Sequence, residues 1–494
     1  MALILALDQG TSSSRAVVLN DSGERLGSGQ HEFTQHFPHP GWVEHDAGEI
    51  LRSQLTAIAG AMNQAGCSVS QLAAIGLSNQ RETIVMWDRA TGEALAPAIV
   101  WQDRRTATHT ATLRAGGHEA LVRERTGLVL DPYFSASKIA WLLDAHSGLR
   151  ARARAGDIAV GTIDSWLIHC LSGGAVHCCD ISNASRTSLF NIHTHSWDQD
   201  LLDLFDIPAA VLPQVVASAG TCAMATALGA PVPICGMAGD QQAALFGQAC
   251  TEPGLAKITY GTGAFALLNT GTEVQPRDGV LSTIAWQLGT AAPVYANEGS
   301  VFIAGAAVQW LRDQMGFIEN AADIEALANS VPDSGGVVFV PAFAGLATPH
   351  WDADARGLLI GLTRGTERGH IARATLEAIA WQSRDALVAL GGGTAPQELR
   401  VDGGAASNRL LLHLQANALG CAVLRPHDLE TTVRGAAGLA MIGADLGDVS
   451  SVAQAWSLDE RCEPSISADQ RQAEHARWNR ALERTRNWNQ PDAP

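Results

Sequence analysis

Leu3-Ile4-Leu5-Ala6-Leu7-Asp8-Gln9-Gly10-Thr11-Ser12-Ser13-Ser14-Arg15-Ala16-Val17-Val18-Leu19 reads as strand, polar turn, strand. The run 3–7 is apolar, the tip is small and polar, and 16–19 is apolar again. The same figure returns about half the chain later. There, 255–260 leads into Gly261-Thr262-Gly263, and 264–268 leaves as a second strand. Two hairpins with Gly-Thr tips, each followed by helix-strand alternation, predict two similar halves that face one another. A tip of small residues directs backbone N–H groups and hydroxyls at an anion, as in phosphate-cradling nests. Asp8, at a strand end, is placed to hold magnesium through water, and Arg15 to reach a phosphate oxygen. A serine-rich turn with an aspartate cap accounts for this one segment equally well.

Outward from the first hairpin, helices are predicted over 47–64, 106–125, 137–145 and 241–250, with strands over 73–78 and 84–87. Beyond the second, helices are predicted over 301–315, 321–329, 370–390, 408–419 and 433–443, and strands over 337–340 and 399–401. A surface helix is predicted over 470–486. The alternation defines an α/β class with largely buried sheets. Glu252-Pro253-Gly254 breaks the pattern and separates domains at 1–250 and 251–494.

The composition narrows function. Lys and Arg number 33 against 50 Asp and Glu, a formal charge of −17 that leaves no electrostatic footprint for nucleic acid or anionic membrane. A phosphate ligand must therefore be held by local backbone and metal. Nine cysteines without a CxxC pair read as reduced thiols, and Asp8 arrives too early for a secretory leader, so a cytoplasmic protein is expected. Residues 207–239 carry no charge but four prolines, which reads as buried strand and loop, not a lipid-spanning helix.

Further residues stand out by their chemistry and place. Val401-Asp402-Gly403-Gly404 ends a strand and leads to Asn408 at a helix start, where flat backbone suits a nucleoside. Neither a P-loop nor a strand-GxGxxG-helix fingerprint is present. Arg81 and Glu82, adjacent in sequence, read on their own as a surface charge pair. Asp240 precedes a predicted helix, where an N-cap would stand.

Taken together, Asp8-Gln9-Gly10-Thr11, Tyr260-Gly261-Thr262-Gly263 and Val401-Asp402-Gly403-Gly404 resemble the two phosphate motifs and the adenosine motif of the actin-like ATPase superfamily. Within it, Tyr133-Phe134-Ser135-Ala136-Ser137-Lys138-Ile139-Ala140-Trp141 and Gly239-Asp240-Gln241-Gln242 resemble the FGGY carbohydrate kinases. Pro40-Gly41-Trp42-Val43-Glu44-His45-Asp46, Ser78-Asn79-Gln80-Arg81-Glu82-Thr83, Val100-Trp101-Gln102 and Asn183-Ala184-Ser185-Arg186-Thr187 are similar to members that act on glycerol.

The resemblance implies two ribonuclease-H-like domains with the active site in the cleft between them, the first binding glycerol and phosphates and the second adenine nucleotide. It implies ATP-dependent phosphorylation of glycerol with Mg2+, in a dimer or tetramer. It makes Asp240 the general base and Asp8 the magnesium ligand through water. Arg81, Glu82, Trp101, Tyr133, Asp240, Gln241 and Phe265 would touch the polyol. Thr11, Ser12, Ser13, Arg15, Thr262, Gly305, Gln309, Gly404 and Asn408 would line the nucleotide. Two lobes imply closure that excludes water.

The chain also departs from the family. Where some relatives carry a cationic loop for fructose 1,6-bisphosphate, 225–231 has no cation, and 211–239 lacks the His that others phosphorylate, so neither control is expected. Arg434 stands where small or apolar residues are commoner. Two other readings remain beside this one: a kinase of the same family for a longer polyol or ketose, such as erythritol or xylulose, and an actin-like ATPase that uses nucleotide for conformational work.

Overall fold

The computed structural model describes residues 2–489. Strands Leu3–Gln9 and Ser13–Asn20 form the first hairpin, with Asp8 opposite Arg15. Arg25–Glu32 extends it antiparallel on one side. On the other, Leu72–Asn79 and then Val232–Gly239 run parallel to Leu3–Gln9, and Ala219–Ala225 closes the edge. The second hairpin, Ala256–Tyr260 with Ala264–Gly271, has the same neighbours. Val294–Val301 lies antiparallel beyond it, and Glu398–Asp402 and Ala422–Pro426 lie parallel on the far side. With Leu458–Cys462 antiparallel at the far edge of the second, six strands of each sheet share one order and one set of directions, so the chain contains one fold twice.

The apolar run at the start is explained by burial on both faces. Leu5 and Leu7 pack beneath the helix Ala47–Ala65, whereas Ile4 and Ala6 pack beneath Val433, Ala437 and Ala440. The latter three belong to the helix Thr431–Gly443, which follows the last parallel strand of the second sheet yet lies on the first. The helix Asp240–Gly247, which follows the first sheet, makes the reciprocal move: Leu245 and Phe246 pack with Leu267, Ala285 and Trp286 of the second. The two helices cross at glycine. A Cβ on Gly435 would stand 1.8 Å from the Ala243 carbonyl oxygen, and one on Gly247 2.0 Å from that of Thr431.

Three sequence expectations are corrected. The helix over 106–125 is two, Ala107–Ala115 and Glu119–Thr126, because Gly116-Gly117 breaks it and Gly117 adopts φ +86°. The helix over 301–315 spans only Gly305–Asp313, since residue 301 still pairs in a strand and the second hairpin tip engages the backbone N–H groups at 304–306. The last helix, Ala468–Leu482, is not merely superficial: Trp478 and Leu482 enter the second core. Residues 207–239 form strand and loop, and among the described residues no helix is long and apolar enough to cross a membrane.

Candidate active site

Trp101 touches both hairpins, through Thr11 of the first tip and Phe265 just beyond the second. In the first, Gly10 N–H donates to the Ser13 carbonyl at 2.9 Å, and Thr11 Oγ1 accepts from Trp101 Nε1 at 2.9 Å. Thr11, Ser12 and Ser13 remain partly or fully exposed. In the second, the N–H groups of Ala304 and Ala306 reach the Thr262 carbonyl, and Gly305 N–H reaches Gly261. Gly305 must be small there, because a Cβ would stand 2.6 Å from the Gly261 carbonyl oxygen. Gln309 is exposed one turn along the same helix. Gly403, at φ +85°, lets its backbone lie against Tyr260, while Gly404 faces open space. Asn408 caps the helix Arg409–Leu419 by accepting from Leu411 N–H at 2.9 Å. Arg15 spans to the opposite half, paired with Glu430, and donates to Gln30 at 3.1 Å.

Arg81 and Glu82 are not a surface pair. Both are buried, and Glu82 adopts φ +61° to turn its carboxylate inward. Arg81 Nε lies 3.2 Å from Asp240 Oδ1, and its other nitrogens face Gln242 at 3.3 Å, Tyr133 OH at 3.5 Å and Glu298. Glu298 comes from the strand Val294–Val301 of the second sheet and also accepts from Arg186 at 2.9 Å. Arg186 Nε in turn donates to Glu82 at 2.7 Å. Two guanidinium groups and two carboxylates therefore alternate across the junction of the halves, all withdrawn from water. Burial pushes Glu298 up, but Arg186 and Arg81 outweigh it and hold it below the ordinary carboxylate range. For Glu82 burial wins over the same two cations, and its pKa is raised.

Trp101 meets Tyr133 edge-on at 5.6 Å and Phe265 at 6.3 Å, so rings from both halves form one wall. Lys138, fully buried, holds the loop carrying Tyr133 by donating to the carbonyls of Pro132, Tyr133 and Phe134. Asp240 opens the helix Asp240–Gly247 and is its first residue, not its N-cap, which is Gly239. Its carboxylate is 30% exposed, accepts from Gln241 N–H at 2.7 Å, and is raised by burial against the opposing charge of Arg81.

Asp8 is pushed up to about 7 by burial and by the charge of Asp240, with Arg15 opposing. A carboxyl so placed gains from a divalent cation, and a carboxylate oxygen suits magnesium. Among the described residues one group of three, His413, Glu460 and Cys462, brings metal-ligating atoms within 4.8 Å of one another, but Glu460 faces Arg409 and Arg425.

The structure thus gathers Arg81, Glu82, Trp101, Tyr133, Asp240, Gln241 and Phe265 about one junction, with Asp8 and the first tip alongside. Sequence reasoning missed Glu298, Arg186 and Lys257 as partners in it. The available signal was a lone charge in otherwise apolar or small-residue strands: Glu298 in Val294–Val301 and Lys257 in Ala256–Tyr260.

Residues 3–247 match the FGGY family of carbohydrate kinases, N-terminal domain, and residues 256–444 match its C-terminal domain. A glycerol kinase of Aromatoleum aromaticum is 57% identical over 494 residues, 99% of either chain. One of Citrifermentans bemidjiense is 55% identical over 492 residues, again 99% of either chain. The crystal structure of Plasmodium falciparum glycerol kinase with ADP superposes with a TM-score of 0.93 at 33% identity, covering 98% of both chains. A xylulose kinase from Lactobacillus acidophilus, at 22% identity and a TM-score of 0.86 over 98% of this chain and 97% of that one, shares the fold.

Proposed function

The chain belongs to the FGGY family of carbohydrate kinases, and on that premise we propose that it transfers the γ-phosphoryl group of ATP to the 3-hydroxyl of glycerol. The observation that carries the reading is the Asp240 carboxylate, partly open to solvent and 3.2 Å from Arg81 Nε, among residues that suit a short polyol. An alcohol is a poor nucleophile, so a positioned base must accept its proton; Asp240 is that base. The rest of phosphoryl transfer is positioning and charge neutralisation.

Arg81 donates to hydroxyl oxygens. Glu82 gives one carboxylate oxygen to Arg186 and keeps the other for a hydroxyl proton. Trp101, Tyr133 and Phe265 enclose a three-carbon chain, and Gln241 adds a polar contact. Residues 1–250 hold glycerol and the phosphates, through Thr11, Ser12, Ser13 and Arg15. Residues 251–494 hold the adenine end, through Thr262, Gly305, Gln309, Gly404 and Asn408. Asp8 would hold magnesium, and the ion when bound would neutralise phosphate charge. Nine free thiols suit a cytoplasmic enzyme. The turn at 226–231 has no cation to grip a bisphosphate, so inhibition by fructose 1,6-bisphosphate is expected to be absent or weak; inhibition at low micromolar concentration would contradict this.

The test is ADP release from Mg-ATP with glycerol, dihydroxyacetone, erythritol, xylitol, xylulose or 1,2-propanediol. Strong turnover with glycerol, and propanediol rejected by up to about 10⁴–10⁵-fold, is expected. Turnover only with a longer sugar would discard the triol reading. ATP hydrolysis indifferent to every polyol would discard the kinase reading.

A further inference from the structure

Lys257 is fully buried in the first strand of the second hairpin, and no carboxylate oxygen among the described residues lies within ion-pair distance of its ammonium. A charge in that position is costly unless its hydrogens are satisfied. They are directed at two neutral groups: Thr259 Oγ1 at 2.8 Å, and the side-chain carbonyl of Gln241. The contact exists because the helix Asp240–Gly247 crosses to the second sheet and sets its first turn over this strand. Asp402, Asp240 and Glu298 are the acidic groups around the ammonium, and Arg81 is the neighbouring cation. Asp402 is itself occupied, accepting from Gln248 at 2.8 Å and Thr431 at 2.7 Å.

An ammonium donates and cannot accept, whereas a glutamine amide offers a carbonyl at one end and an NH2 group at the other. With its carbonyl turned to Lys257, Gln241 has only one orientation left. We infer that Lys257 is a positioning residue that fixes the Gln241 amide with its NH2 group toward the polyol, so that one substrate hydroxyl is read by donation to its oxygen. This rests on the reading of the site as a glycerol kinase, and it adds a division of roles: Glu82 takes a hydroxyl proton, and Gln241 supplies one. Without the lysine the amide is free to rotate by half a turn and present an acceptor instead.

Steady-state kinetics of wild type, Lys257→Met, Lys257→Arg and Gln241→Glu test this, with glycerol binding followed separately by thermal shift. Lys257→Met should raise the glycerol KM about 10–100-fold, the loss of one oriented hydrogen bond at a buried site, while the ATP KM stays within about threefold. Lys257→Arg restores a donor-only partner and should recover most of that loss. Gln241→Glu strengthens the contact with Lys257 but replaces the donor by an acceptor, so it should lose glycerol affinity at least as severely. Should Lys257→Met fail to fold, Gln241→Glu still decides, because it keeps the buried ammonium paired. Unchanged glycerol KM in Lys257→Met, or wild-type glycerol binding by Gln241→Glu, would overturn the inference. Absence of glycerol turnover in the wild-type enzyme would instead overturn the reading on which it rests.

Discussion

Arg81 from the first half and Glu298 from the second form a two-pronged ion pair that is buried from water. Removing the charge of one partner leaves the other stranded in a medium that solvates it poorly. Glu298→Gln keeps the shape but leaves Arg81 and Arg186 short of a carboxylate. We expect it to cost about 3–5 kcal/mol of stability, read by chemical denaturation, and to lower kcat/KM for glycerol because Arg81 no longer faces Asp240 squarely. A variant as stable as wild type would show that the pair is dispensable.

Asp240→Asn should lose roughly 10²–10⁴-fold in turnover while ADP binding, measured by calorimetry, survives. In the proposed role of base Asp240 works only when ionised, and burial raises its pKa. Activity of the wild type should therefore fall toward acid, with a limb lying above the range of an ordinary aspartate. A flat acid limb would argue against this carboxylate as the proton acceptor.

The raised pKa of Asp8 has two consequences of opposite sign. On the proposed role of Asp8, magnesium would compete with a proton there, so the concentration needed for half-maximal rate should climb as pH drops below about 7, and should lose that dependence in Asp8→Asn. Stability runs the other way. A carboxyl whose folded pKa lies above its unfolded value stabilises the fold in its protonated form, and that contribution is lost as pH rises through about 7. Asp8→Asn should thus melt about 1–3 °C above wild type at pH 8 without metal, and little above it at pH 5. A variant that melts lower at pH 8 would contradict the assignment.

Gly435→Ala separates propensity from packing. In an exposed helix interior the change would stabilise by about 1 kcal/mol. Here the added Cβ would stand 1.8 Å from the Ala243 carbonyl oxygen, so the helices must move apart. A net loss of about 1–3 kcal/mol is expected, with slower turnover, because the crossing sets how the halves meet. A stabilised variant would mean that the crossing is loose.

The hairpin tips were legible because strand, polar tip and strand are neighbours in sequence, as are Arg81 and Glu82 or Asp240 and Gln241. Burial was not legible. Arg81 and Glu82 look like a solvated pair until Arg186 and Glu298, more than a hundred residues on, are brought against them. Arg434 likewise had no local explanation. In the structure Asp428 lies between Arg434 at 2.9 Å and Arg25 at 2.9 Å, tying the loop before the crossing helix to the first sheet. The apolar pattern at 301–315 overstates the helix because it begins inside a strand, and only the tip at 261–262 shows where the helix opens.

The exchanged helices also decide how this chain can be divided. Each sheet is covered by a helix that the other half supplies, so a cut at residue 250 would not release two independent modules. Either fragment alone would expose an uncovered slab of core, and function would return only on their reassociation. The duplication visible in the two sheets is therefore one of pattern and not of autonomy: each copy of the fold relies on the other for part of its cover.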